Sequence, residues 1–64
     1  MNQKYEEILK QADIRITANR LLVLQTLHET MRGTFSFSDV LEKIPYMDES
    51  SVYRTLTLFA ENHI

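Results

Sequence analysis

The chain has 64 residues, with seven Lys and Arg against nine Asp and Glu for a net charge of −2, and it has no cysteine. A chain this short is one domain at most and buries only about 60% of the surface its unfolded form exposes. The lack of cysteine excludes disulfides and a cysteine-held zinc, and His28 and His63 stand too far apart for ligand-like spacing, so no cofactor or metal is expected within residues 1–64.

No run approaches the roughly 18 apolar residues that a membrane span needs. The polar start, Met1-Asn2-Gln3-Lys4-Tyr5-Glu6-Glu7, is no signal peptide. A cytoplasmic protein without membrane contact is the expectation. One glycine and one proline imply mostly regular structure with few breaks, and the apolar spacing is helical throughout.

The first helix is predicted over about residues 3–12, where Tyr5, Ile8, Leu9 and Ala12 share one face. Asp13-Ile14-Arg15-Ile16 reads as an irregular or extended connector, because β-branched residues alternate with charged ones. The second helix opens at Thr17, an N-cap, and runs to about Met31. Its stripe of Leu21, Leu24, Leu27, His28 and Met31, widened by Leu22 and Val23, predicts a central helix contacted from several sides. His28 is read as a partly buried, hydrogen-bonded packing residue, and Met31 and Met47 as packing residues. Gly33 marks the end of the helix, where a left-handed residue costs least.

A short third helix follows Ser36, with Asp39 completing a capping box and Phe37, Val40, Leu41 and Ile44 facing inward. Pro45 ends it, since the residue before a proline avoids helical geometry. The fourth helix is capped by Asp48 and covers about residues 49–62, with Val52, Leu56, Phe59 and Leu58 inward. Its opposite stripe carries Ser50, Tyr53, Arg54, Thr57 and Glu61.

The last two helices, joined by Pro45-Tyr46-Met47-Asp48, have the proportions of a helix-turn-helix. In that motif the N-terminal half of the second helix meets base edges in the major groove. Ser50, Ser51, Tyr53, Arg54 and Thr57 there offer hydroxyls, an aromatic ring and a guanidinium fork, which suit phosphates, thymine methyls and guanine. Lys43 and the positive end of the fourth helix add attraction for the DNA backbone. A freestanding nucleic-acid binder is usually basic, and the same stripe would also suit a protein-protein interaction module, so patterning alone leaves both readings open.

Three segments bear on that choice. Arg15-Ile16-Thr17-Ala18-Asn19-Arg20-Leu21-Leu22-Val23-Leu24, Phe35-Ser36-Phe37-Ser38-Asp39-Val40 and Ser51-Val52-Tyr53-Arg54-Thr55-Leu56 occur in the order found in the ferric uptake regulator family. Across nearly its whole length the chain resembles the N-terminal DNA-binding domain of those bacterial repressors, with Val-Tyr-Arg-Thr-Leu the most specific string. The resemblance implies a sequence-specific transcriptional repressor that binds double-stranded DNA through a winged-helix domain. It also implies a homodimer in the full-length protein, built on a C-terminal domain that binds a regulatory metal, with iron, zinc and manganese all open. By the same analogy Tyr53 and Arg54 enter the major groove, Arg15 reaches the minor groove and Arg20 contacts or orients the phosphate backbone.

Against that family's pattern the chain is expected to be all-α, one domain over residues 1–64, truncated before the wing and lacking the metal-binding dimerisation domain. Family members often carry a histidine metal ligand just before the serine-capped helix, where this chain has Thr34 beside Phe35. Asp13 and His63 stand where the family usually has glycine, and Asn62 is expected to take the left-handed conformation in place of the second. An enzyme is not expected. No glycine-rich phosphate loop or nucleophile with an adjacent base occurs, and Glu6-Glu7 and Asp48-Glu49 suit helix N-termini better than paired acid-base work.

Overall fold

Caps and breakers written into the sequence set the helix limits. The structure, a computed structural model, describes residues 3–31 and 33–64; Met1 and Asn2 of the polar start, and Arg32, lie outside the described residues. Four α-helices appear, α1 (Gln3–Gln11), α2 (Ala18–Thr30), α3 (Phe37–Lys43) and α4 (Glu49–Glu61), with no strand among the described residues. The fold is all-α, and each helix lies within about a residue of its expected limits.

Each of the last three helices begins on a side-chain cap. Thr17 Oγ1 accepts from the Arg20 amide at 3.2 Å, and Asp48 Oδ2 accepts from the Ser51 amide at 3.2 Å. At α3 the box is complete: Ser36 Oγ accepts from the Asp39 amide at 3.3 Å, and Asp39 Oδ2 accepts from the Ser36 amide at 2.8 Å. Such caps satisfy amides that the first helical turn leaves without partners and contribute typically about 1 kcal/mol each.

The first and last helices end alike. After α1, the Asp13 amide donates to the Lys10 carbonyl at 3.0 Å and the Ile14 amide to the Leu9 carbonyl at 2.9 Å. After α4, His63 donates to Ala60 at 3.2 Å and Ile64 to Phe59 at 3.0 Å. This is the Schellman pattern, which needs a left-handed residue at the position that Asp13 and His63 fill, with φ of 60° and 57°. Asn62 has φ −105°, so the left-handed residue is His63 itself, against the sequence expectation. The bond from Ile64 back to Phe59 fixes which residue must turn, whatever the local propensity. Gly33, with φ 69°, takes the left-handed role after α2 as expected.

The core consists of Tyr5 and Leu9 of α1, Ile14 of the connector, Val23 and Leu24 of α2, Val40 and Ile44 around α3, and Val52 and Phe59 of α4. Helix α2 packs against all three others and α3 also packs against α4. That arrangement explains the breadth of the α2 stripe, whose residues Leu21, Leu22, Leu27 and Met31 are half-buried around Val23 and Leu24. Met47 is half-buried too. Thr26 and Thr55 are buried as well, which apolar patterning did not foresee. Each hydroxyl donates back to a carbonyl four residues earlier, Leu22 and Ser51 respectively, at 2.8 Å, so neither is left unsatisfied.

His28 departs from its expected role. Its side chain is exposed and meets the Tyr5 ring edge to face, with centroids 5.6 Å apart. The reason lies in α1: Tyr5 is the buried partner and sends its hydroxyl to Glu29 Oε2 at 2.8 Å, which leaves His28 on the outer side of the ring.

Candidate functional site

Burial of Val52, Thr55 and Phe59 against α2 and α3 fixes the rotation of α4 and so decides what it presents outward. Ser50, Tyr53, Arg54, Thr57 and Glu61 are all exposed, and Tyr53 keeps 61% of its surface open. Ser51 differs from the sequence expectation. It is half-buried, its amide is held by Asp48 and its carbonyl accepts from Thr55, so it belongs to the flank of the stripe.

Two adjoining hollows run along this face. At the N-terminal half of α4, a cleft of about 320 Å³ is lined by Phe37, Glu49, Ser50, Tyr53 and Arg54. The Phe37 and Tyr53 rings meet edge to face in it, with centroids 5.7 Å apart and planes at 84°. Farther along, a groove of about 350 Å³ is lined by Arg20, Tyr53, Arg54, Thr55, Thr57, Leu58 and Glu61. Arg20, near the start of α2, therefore shares a groove with the α4 stripe. Thr57 Oγ1 donates to the Tyr53 carbonyl at 2.9 Å, which fixes the hydroxyl along the helix and leaves its oxygen free to accept.

Arg15 is exposed and lines a separate hollow with Lys10, Asp13, Ile14 and Ile16. Its link to the stripe runs through Arg20, whose Nη1 donates to the Arg15 carbonyl at 2.7 Å. Of the seven residues singled out by sequence, Arg20, Ser50, Tyr53, Arg54 and Thr57 are thus brought together. Arg15 is tethered nearby, and Ser51 is turned aside. Lys43 does not join them: it lines a different hollow with Thr30, Met31, Thr34, Phe35, Asp39 and Glu42.

Two residues of the site take roles that sequence reasoning does not give them. Phe37, expected to face inward, is only half-buried and forms the wall beside Tyr53. Glu49, expected only to suit the helix N-terminus, lines the first hollow with Arg54, and Glu61, on the exposed stripe as expected, lines the second with Arg54. The face therefore offers directed donors and an aromatic surface rather than a broad cationic field. Among the described residues no three His, Asp or Glu side chains gather as a metal ion would require, and no helix is long and apolar enough to cross a membrane. Compared with known protein families, with characterised proteins and with solved structures, the chain matches none.

Proposed function

We propose that this chain binds double-stranded DNA sequence-specifically, with α3, the turn 44–48 and α4 acting as a helix-turn-helix and α4 as the recognition helix. The observation that carries the reading is the face that α4 leaves free: Tyr53, Arg54 and Thr57 lie exposed beside Arg20, while Val52 and Phe59 anchor the opposite side. A helix of 13 residues is about 20 Å long and fits a major groove about 12 Å wide. In that pose Arg54 can grip guanine through two hydrogen bonds, and Tyr53 and Thr57 can meet thymine methyls. Ser50, Ser51 at its flank, and Arg20 are within reach of backbone phosphates, and Arg15 extends from the tethered connector toward the neighbouring minor groove.

The likeness of residues 15–24, 35–40 and 51–56 to ferric uptake regulators supports the same reading and extends it. On that basis the chain is the winged-helix part of a cytoplasmic transcriptional repressor that acts as a homodimer. The regulatory metal would then be held outside these residues, in a separate dimerisation domain.

Titration of duplex DNA across a salt series tests the proposal. One such domain, without a partner half-site, is expected to bind with Kd of about 10⁻⁴ to 10⁻⁶ M, weakening steeply as salt rises. Arg54→Ala should cost about 1–3 kcal/mol if it meets a base. Unchanged affinity in that variant would remove α4 from the interface.

A second reading, a protein-protein interaction module on the same face, draws on Glu49 and Glu61 and on the net charge of −2. It predicts indifference to DNA at every salt concentration.

A further inference from the structure

The contact between Phe37 and Tyr53 joins two helices at the point where the exposed face begins. Phe37 is the first residue of α3, directly after the Ser36 cap, and the completed box with Asp39 holds that first turn in place. Its ring meets Tyr53 edge to face, so a side chain on α3 fixes the outlook of one on α4. An exposed tyrosine on a helix otherwise samples several staggered rotamers. An edge-to-face pair favours one arrangement over the rest by several-fold, enough to bias which way a ring open over 61% of its surface points.

The same two rings form the apolar part of the cleft, with Ser50, Glu49 and Arg54 completing its lining. An apolar wall beside directed polar groups suits a base edge that carries a methyl group, which in DNA is the C5-methyl of thymine. We propose that Phe37 is a positioning residue for Tyr53, and that the pair sets a preference for a methylated pyrimidine at the base Tyr53 faces. Phe37 meets the Tyr53 ring and carries no charge, so it governs selectivity at one base and leaves phosphate attraction to the arginines. This inference rests on the DNA-binding reading.

The test uses the whole 64-residue chain and a duplex enriched from a randomised pool by the wild-type protein. Each thymine of that duplex is replaced in turn by uracil, which differs only in lacking the methyl. The wild type is expected to lose about fourfold in affinity at one position, the worth of one buried methyl group. Phe37→Leu keeps apolar bulk without the ring, and should bring the ratio of thymine to uracil affinity at that position to about one, with the slope of its salt dependence as in the wild type because no charge is changed. Phe37→Tyr should restore the difference. A thermal melt of each variant separates loss of fold from loss of selectivity.

Two results overturn the proposal while DNA binding stands: no thymine position sensitive to uracil, or a sensitivity that survives in Phe37→Leu. If the wild type enriches no duplex, the DNA-binding reading and this inference fall together.

Discussion

The Ile14 amide reaches back over Asp13 to the Leu9 carbonyl at 2.9 Å, and that bond closes α1 and turns the chain toward α2. Leu9 and Ile14 are both buried, so the turn joins two core residues through one in a left-handed conformation. A side chain with a Cβ is disfavoured there, and a carboxylate adds repulsion from the negative end of the helix. Asp13→Gly removes both penalties, while glycine adds some entropy to the unfolded chain. The net expectation is a gain of about 0.5–1 kcal/mol, read as a higher midpoint in urea denaturation.

Arg20 and Arg15 are joined across the start of α2 by the 2.7 Å bond from Nη1 to the backbone carbonyl. The bond is exposed, so Arg20→Ala should change global stability by no more than about 0.5 kcal/mol. Its effect is local. The amide resonance of Ile16, which shares a peptide group with the accepting Arg15 carbonyl, should shift in the variant, whereas the amides of Val23 and Leu24 should keep their protection from exchange.

Ser36→Ala removes the hydroxyl that receives the Asp39 amide and breaks half of the capping box. A loss of about 1 kcal/mol is expected. In a domain of this size that lowers Tm by about 4–8 °C. Circular dichroism on heating measures it, and a midpoint unchanged from the wild type would mean that the box adds nothing to α3.

Tyr5 predicts a dependence on alkaline pH. Its hydrogen bond to Glu29, its burial and the charge of Glu29, in that order, raise the phenol above its ordinary value of 10.0. The raised value means that the folded chain favours the protonated ring. This stabilisation is complete below pH 10.0, the unfolded value, and is lost as pH climbs through the higher folded one. Tyr5→Phe should be less stable than the wild type at neutral pH and should lose less stability between pH 9 and pH 11. Urea denaturation of both proteins across that range checks the sign; parallel curves would show that the bond to Glu29 does not bias ionisation.

Local chemistry made much of the molecule legible in advance. Thr17, Ser36 and Asp48 mark helix starts because their oxygens reach amides within the same turn, and Pro45 and Gly33 mark ends through their own backbone limits. The face holding Ser50, Tyr53, Arg54 and Thr57 follows from the period of Val52 and Phe59, which is a property of one helix alone. Tertiary packing decided what no single helix contains. Thr26 and Thr55 are buried because neighbouring helices cover them, and their hydroxyls tolerate this by turning to carbonyls of their own helices. His28 lies outside because Tyr5 of α1 takes the buried place. Phe37 looks like another core residue until α4 brings Tyr53 against it, and Arg20 shares a groove with Arg54 only after α2 packs on α4. Sequence determined the elements and their outward faces, since those depend on neighbours a turn away; the meeting of faces depends on helices far apart in the chain, and packing alone decides it.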